Sequence, residues 1–198
     1  METRLFPEGT IPEYTTDAWY AERESAPHVD QDAHRPRLDV AAQFVVQAYE
    51  PGMIVVDLGS GDGGLLWLIS SQVPPHLRWG YDLQQSNVDA AAARGQNVMY
   101  GNVLTDDISY GDICVTTEML EHLIDPHAYV RHLSSKVKYL VASSPAFETA
   151  DAHYEYHTWA WDKDGYAEML VNNGFSVVRH DIVGPFQVVL AISTHLDV

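Results

Sequence analysis

A glycine-rich segment follows a short apolar stretch near residue 55. Residues 55–64 read VVDLGSGDGG, which fits both G-x-G-x-x-G and G-x-G-x-G. The apolar residues before it predict a buried strand, and LLWLISSQV after it predicts a helix. Glycines between a strand and a helix let the backbone approach a ligand closely. We therefore expect this loop to hold a phosphate, a dinucleotide or an adenosyl sulfonium.

Acidic residues around the loop discriminate among these three ligands. No G-K-[S/T] ends the loop, so a Walker-type phosphate site is excluded. Asp82 lies at the end of the next predicted strand, where a carboxylate can accept the hydroxyls of an adenosine ribose. Asp57 and Asp62 place negative charge where a pyrophosphate would lie, whereas a sulfonium and an ammonium suit such a site. The pattern favours S-adenosylmethionine over NAD.

A second group of titratable residues lies in TEMLEHLIDP, residues 117–126. Glu118, Glu121 and His122 are spaced i, i+3 and i+4, so all three project from one face if the segment is helical. Two carboxylates and an imidazole can bind a divalent metal, and His122 can instead act as a general base. The remaining interpretation is a loop in which Glu118 and His122 hydrogen-bond to nearby backbone.

Histidines and aromatic residues are concentrated in DAHYEYHTWAWD, residues 151–162. We expect His153 and His157 to contact the substrate, and His153 is also a candidate metal ligand. Tyr14 and Trp19, in the polar N-terminal region, are predicted to fold over the same cleft. Simple packing against the fold is the alternative for Trp19.

Alternating strand and helix patterns must position these groups. They predict an α/β fold, with a doubly wound, Rossmann-like, mostly parallel seven-stranded sheet over residues 34–198. Residues 1–33 are predicted to form an N-terminal arm or lid. Only Gly184-Pro185 separates the last two strand patterns, FSVVRHDIV and FQVVLAIST. Because a parallel crossover needs a dozen or more residues, we expect a C-terminal antiparallel hairpin.

The string VVDLGSGDGGLL resembles motif I of the class I S-adenosylmethionine-dependent methyltransferases, and the resemblance extends from about residue 38 to the C-terminus. It implies that S-adenosylmethionine is the cofactor and S-adenosylhomocysteine the product. It also implies a set of cofactor-binding residues, in which Asn102 replaces the family's usual acid beside the adenine. These residues are Asp57, Gly59, Ser60, Gly61, Asp82, Leu83, Asn102 and Val103.

The string TEMLEHLIDP is similar to motifs of two methyltransferase groups. The ubiquinone-pathway O-methyltransferases carry a near-identical Glu-Met-Leu-Glu-His stretch. The metal-dependent small-RNA 3′-terminal 2′-O-methyltransferases combine Glu-x-x-Glu-His with a further histidine in a His-x-Phe-Glu-Trp pattern. HYEY, beginning at His153, is a loose version of that pattern, which gives Glu118, Glu121, His122 and His153 as a candidate metal set.

These resemblances imply methyl transfer to an oxygen or nitrogen of a small molecule. Two alternatives stay open, which are metal-dependent 2′-O-methylation of an RNA 3′ end and a non-catalytic, cofactor-binding regulatory or scaffold role. The net charge of -17 and the scattered Lys and Arg residues disfavour nucleic acid as a partner. A single cysteine, Cys114, and the lack of a signal peptide or an apolar membrane span favour a cytoplasmic protein.

Overall fold

Strands and helices alternate along most of the computed structural model, which describes residues 1–25 and 27–196. Glycine or proline separates most neighbouring elements, as at Pro51-Gly52 and Pro74-Pro75. The strands are β1 (Glu2–Arg4), β2 (Val55–Leu58), β3 (Arg78–Asp82), β4 (Val98–Tyr100), β5 (Ile113–Thr117), β6 (Tyr139–Pro145), β7 (Trp159–Trp161), β8 (Phe175–Val183) and β9 (Phe186–Ser193).

The helices follow the predicted apolar periodicity and capping signals. The Asp125 side chain accepts the backbone N–H of Ala128, and Asp162 accepts that of Gly165, so each aspartate starts a helix. The helices are α1 (Asp17–Ala21), α2 (Arg35–Ala48), α3 (Gly64–Leu68), α4 (Gln85–Ala93), α5 (Pro126–Ser134) and α6 (Lys163–Asn172). Helix α3 is shorter than predicted, since turns replace the helix after Leu68.

The main sheet has seven strands in the order β4-β3-β2-β5-β6-β9-β8. Strands β2 to β6 pair in parallel, and β9 pairs antiparallel with both β6 and β8. The predicted fold class and C-terminal hairpin are therefore confirmed. The strand order reverses between β2 and β5, and ligands bind at such a reversal, beyond the carboxyl ends of the strands.

The two faces of the sheet bury separate apolar cores. Val56 and Cys114 face one core, and Val55 and Val115 face the other. Successive residues of a strand point to opposite faces, so these central strands carry apolar residues on both faces. Cys114 is a buried apolar residue, as its surroundings in the sequence indicate.

A two-stranded antiparallel sheet joins the N-terminus to the rest of the fold. Strand β1 pairs with β7, with Thr3 opposite Ala160. The sequence analysis did not predict either strand, because three residues are too few to show a periodicity. The N-terminal region is thus fixed at its beginning, next to the segment that contains His157. The boundary between residues 1–33 and 34–198 stays a prediction.

Candidate active site

The glycine loop connects β2 to α3 at the central reversal of the sheet. The backbone N–H groups of Gly59 and Ser60 both donate to the carbonyl of Tyr81, at 2.9 and 3.0 Å, which joins the loop to β3. Gly59 has a φ of +74°, and a Cβ there would lie 3.1 Å from the Met119 side chain. A side chain at this position would be strained and would close the approach to a ligand.

Asp57 is a buried acid directly beneath this loop. Its Oδ2 atom accepts a hydrogen bond from the Ser60 hydroxyl at 3.1 Å. Its Oδ1 atom has no hydrogen-bond partner among the described residues. Burial raises the pKa of Asp57 to about 7, against the Ser60 hydrogen bond. A buried carboxylate with a free oxygen is suited to a cationic ligand group.

Asp82 connects β3 to the same loop. Its carboxylate accepts backbone N–H groups from Gly61 and Gln84, both at 2.8 Å, and the Asn87 side-chain amide at 3.0 Å. Burial raises the pKa of Asp82, and these hydrogen bonds oppose the shift. A carboxylate offers about four acceptor positions, so one is left for a ribose hydroxyl.

The electrostatic role expected for Asp62 was wrong. Its Oδ1 atom accepts the backbone N–H of Gly64 at 3.2 Å, and its Oδ2 atom pairs with Arg94 at 2.6 Å. Arg94 also pairs with Asp30 at 2.8 Å. The charge of Asp62 is therefore compensated by an arginine and is not directed at the ligand. The argument against a pyrophosphate rests on Asp57.

A cavity of about 830 Å³ opens at the carboxyl ends of the strands. Most of the predicted cofactor residues line it, and a recess of about 40 Å³ beside it contains Asp57 and Ser60. The cavity and the recess share His28, Arg37 and the glycine loop among their lining residues. The cofactor residues that line the cavity are Gly59, Gly61, Asp82, Leu83, Asn102 and Val103.

Asn102 has a different environment from the one expected. Its amide nitrogen donates to Asp17 at 2.9 Å, and its Oδ1 atom accepts the backbone N–H of Leu104 at 2.9 Å. It thereby joins α1 to the loop after β4. Contact between Asn102 or Val103 and the adenine stays a prediction.

Of the two interpretations of residues 117–126, the structure shows the loop and not the helix. Glu118 has a φ of +55°, and Leu120–His122 form a single 3-10 turn. Ser143 donates its hydroxyl to Glu118 at 2.8 Å, so neighbouring β6 holds this side chain. A positive φ at a residue other than glycine is unfavourable and is often found at functional sites. Glu118 therefore does not share a helical face with Glu121 and His122, although it lines the same cavity as His122.

Three side chains meet where metal ligation was expected, but the set differs from the predicted one. Glu121, His122 and His157 each place one potential ligand atom within 4.8 Å of the others. Glu121 is fully buried, and neither of its carboxylate oxygens has a partner among the described residues. The cluster does not include Glu118 or His153.

Both histidines of this cluster are oriented through Nδ1. His122 Nδ1 is 3.0 Å from the carbonyl oxygen of Tyr156, and His157 Nδ1 is 2.6 Å from a Glu148 carboxylate oxygen. A hydrogen bond from Nδ1 leaves Nε2 available to bind a metal. Burial, followed by the charge of His157, lowers the pKa of His122 to about 3. So low a pKa disfavours His122 as a general base at neutral pH, whereas metal ligation requires a neutral imidazole.

The other predicted substrate residues are only partly at the cavity. Trp19 lines it. Tyr14 packs behind Tyr156, with ring centroids 5.7 Å apart, and does not line the cavity. His153 is exposed, and its Nδ1 lies 3.1 Å from the carbonyl oxygen of Thr149. A turn at residues 149–152 holds His153 outside the site, so the structure does not support a ligand role for it.

The His-x-Phe-Glu-Trp pattern could have identified His157. HTWAW begins at His157 and has aromatic residues at the third and fifth positions, a better match than HYEY. The sequence offers Arg37, together with His34 and Arg35, for an anionic substrate or the cofactor carboxylate. Arg37 is buried, and two of its guanidinium nitrogens, Nε and Nη1, have no partner among the described residues.

A family profile described as a methyltransferase domain matches residues 31–186. The chain belongs to this methyltransferase family. It is a class I S-adenosylmethionine-dependent methyltransferase, and S-adenosylmethionine is its cofactor. The methyltransferase has no significant match among curated proteins.

Solved structures show the same fold at low sequence identity. One is the methyltransferase in a complex with the Haloferax volcanii Trm112 methyltransferase activator (17% identity, TM-score 0.69, 91% of this chain and 96% of the other). Another is the methyltransferase domain of bacterial CtHen1-C (17% identity, TM-score 0.63, 82% of this chain and 99% of the other). A third is the mitomycin 7-O-methyltransferase MmcR (17% identity, TM-score 0.60, 78% of this chain and 53% of the other). Other neighbours were crystallised with S-adenosylmethionine or S-adenosylhomocysteine.

Among the described residues, no helix is both long and apolar enough to span a bilayer.

Proposed function

We propose that this methyltransferase transfers a methyl group to a small molecule. Of the two acceptor atoms that the sequence analysis predicts, oxygen and nitrogen, we propose a hydroxyl oxygen. The observation that carries the proposal is the cluster of Glu121, His122 and His157. Its two histidines line the same cavity as Gly59 and Gly61 of the glycine loop. A cavity of about 830 Å³ for cofactor and acceptor together is within the range of small-molecule sites.

Charges along the cavity match the groups of S-adenosylmethionine. Asp57, in the recess, is suited to the ammonium group of the methionine end. Arg37 lines both the recess and the cavity, and its free guanidinium nitrogens suit the methionine carboxylate. Asp82 then binds the ribose. A cofactor held in this order would present its methyl group to the remaining part of the cavity, which His122 and His157 line.

Glu121, His122 and His157 are suited to a divalent metal ion. A fully buried carboxylate without a partner is costly unless a proton or a cation compensates its charge. Both imidazoles keep their Nε2 atoms available beside it. A cation held by these three residues would lower the pKa of an acceptor hydroxyl, which is the chemistry it would supply. The hydrogen bonds that His122 Nδ1 donates to the Tyr156 carbonyl and that His157 Nδ1 donates to the Glu148 carboxylate fix the imidazole orientations.

The reaction is a direct displacement at the methyl carbon. A lone pair of the acceptor oxygen forms the new C–O bond, and the electrons of the C–S bond stay on sulfur, which gives S-adenosylhomocysteine. The hydroxyl proton leaves to solvent. Orientation of the two reactants accounts for most of the rate enhancement, up to about 7–11 kcal/mol. The aromatic residues around Trp19 exclude water from the reacting groups.

One observation favours a second candidate, methylation of an RNA 3′ end. The Glu121, His122 and His157 cluster fits the Glu-x-x-Glu-His plus histidine pattern, and the CtHen1-C domain is a structural neighbour. The net charge of -17 opposes it, because RNA binding relies on basic surfaces.

Transfer of label from methyl-tritiated S-adenosylmethionine distinguishes these candidates. The acceptors are the fraction of a soluble cell extract below about 1 kDa and, separately, total small RNA, each with Mn²⁺ or EDTA. We expect Mn²⁺-dependent labelling of the small molecules, lost in Glu121→Gln and kept in the exposed control Glu50→Gln. Labelling of RNA alone would support the second candidate. No labelling by a protein that binds S-adenosylhomocysteine would support a non-catalytic role.

A further inference from the structure

Arg23 lies at the acceptor side of the cavity, and its guanidinium is stacked on aromatic rings. The guanidinium carbon is 4.1 Å from the ring centroid of Trp19 and 5.5 Å from that of Tyr156. Stacking uses the face of a guanidinium and leaves its in-plane N–H donors available. Arg23 is half-buried and lines the cavity, so these donors can reach a bound molecule.

No carboxylate among the described residues pairs with the Arg23 side chain. The adjacent Glu24 is exposed and makes no bond to it. The other acids that line the cavity are bonded elsewhere: Asp17 to Asn102, Asp82 to Gln84, Glu118 to Ser143 and Glu148 to His157. Among the described residues, Arg23 therefore makes no ion pair, and its N–H donors are free to bind an anionic group of a ligand.

Arg23 lies close to the predicted reaction site. It stacks on the ring of Tyr156, and the carbonyl oxygen of Tyr156 is 3.0 Å from His122 Nδ1. Arg23, His122 and His157 also line the same cavity. An anion bound by Arg23 would therefore lie near the acceptor atom.

Aromatic side chains surround this part of the cavity. Trp19, Tyr20, Phe147 and Tyr154 line it. Phe147 is 68% exposed and Tyr154 is 45% exposed, although both border a cavity. Exposed aromatic residues at a cavity rim indicate a ligand that covers them, and a planar ring stacks well on such side chains.

We propose that the acceptor is a planar aromatic molecule that bears a carboxylate, which Arg23 binds through two parallel hydrogen bonds. This inference rests on the proposed function, because it places the methylated hydroxyl at His122 and His157. The ring of the acceptor then packs against Trp19 and Tyr154. Arg23 is a residue that determines specificity, and its stacking on Trp19 orients the guanidinium before the acceptor binds.

Matched pairs of ligands test the proposal by isothermal titration. The protein is first saturated with S-adenosylhomocysteine and Mn²⁺. The probes are 3,4-dihydroxybenzoate and 3,4-dihydroxycinnamate, each compared with its uncharged methyl ester. We expect at least one acid to bind tenfold or more tightly than its ester.

Two arginine variants separate recognition from folding. In Arg23→Gln, the ratio of acid to ester affinity should fall to within twofold of unity, while the affinity of the ester changes little. Arg35→Gln is the matched control, since Arg35 also stacks on a tryptophan, Trp67, but does not line the cavity. This control should keep the ratio of the unmodified protein.

Three results would overturn the proposal: equal binding of acid and ester, a preference that survives in Arg23→Gln, or no binding of any probe. A structural role of Arg23 as a clamp between Trp19 and Tyr156 would weaken acid and ester alike. Failure to bind S-adenosylhomocysteine would instead count against the proposed function. The two ideas can therefore fail separately.

Discussion

Asp57 illustrates how a single residue can favour ligand binding over stability. Its carboxylate is buried, and one oxygen has no partner among the described residues. With a pKa of about 7 in the folded protein, against an ordinary 3.8, it holds a proton between about pH 4 and 7 that the unfolded chain releases. The contribution of Asp57 is therefore most favourable below pH 4 and is lost as the pH rises through 7.

We expect Asp57→Asn to raise the melting temperature of the ligand-free protein at pH 8, because the buried charge is removed. The gain should be a few kcal/mol at most. The variant should also bind S-adenosylhomocysteine at least tenfold more weakly, since the partner of the ammonium group is lost. Thermal melts at pH 5 and pH 8 and titration calorimetry measure both effects. A less stable variant at pH 8, or one with unchanged affinity, would contradict this account of Asp57.

Arg37 is the second residue whose burial requires a ligand. Its guanidinium carbon lies 5.1 Å from the ring centroid of Phe186, and its Nη2 atom is 3.3 Å from His28 Nδ1. We expect Arg37→Gln to weaken S-adenosylhomocysteine binding by about 1.5–3 kcal/mol, the usual range for a hydrogen bond to a charged group. Decarboxylated S-adenosylhomocysteine should bind both proteins equally. If the variant discriminates between the two ligands as the unmodified protein does, Arg37 does not bind the carboxylate.

Local patterns indicated the cofactor side of the site better than the acceptor side. The glycine loop and Asp82 follow strands, so their place in the fold follows from the order of the elements. The position of His157 depends on how residues 146–158 turn back over the cavity, and no periodicity describes that path. The sequence therefore pointed to His153 as the metal ligand, whereas the structure brings His157 into the cluster.

At the scale of elements, the segment from Tyr14 to Arg23 connects two sides of the cavity. On the cofactor side, Ser86 donates its hydroxyl to the Arg23 carbonyl at 2.9 Å, and Asn102 bonds to Asp17. On the acceptor side, the rings of Trp19 and Tyr156 are 4.8 Å apart. The arm was predicted from composition, but these contacts are long-range and could not be read from the sequence.

We expect Trp19→Ala to loosen this segment without affecting the main sheet. Loss of the ring pairs with Tyr156 and Tyr20 removes about 0.5–1.5 kcal/mol per pair. Hydrogen exchange should speed up at residues 14–25 and 154–158 and stay unchanged in β2 and β5. Exposed Trp67→Ala is the matched control. Unchanged exchange at residues 14–25 would show that the aromatic contacts do not hold the arm.

At the scale of the whole molecule, the sheet predicted from the alternation of elements brings distant segments together at one edge. The cofactor wall comes from the first half of the chain, and the acceptor wall combines residues near 20, 120 and 155. This combination explains why the fold was predictable and the acceptor site only in part. The protein is strongly acidic overall, with a net charge of -17. The positive charges of Arg23 and Arg37, which line the cavity, therefore differ from the charge of most of the molecule.

Titration of Mn²⁺ into the protein saturated with S-adenosylhomocysteine tests the central claim most directly. We predict that one Mn²⁺ binds per chain and that this binding is lost in Glu121→Gln and in His157→Ala. His153→Ala is the matched control for His157→Ala, because it removes a nearby histidine that is not in the cluster, and it should retain Mn²⁺ binding. The S-adenosylhomocysteine affinity, measured in parallel, should stay unchanged in all three variants. Absence of Mn²⁺ binding, or binding that survives in Glu121→Gln, would contradict a metal-assisted acceptor site formed by Glu121, His122 and His157.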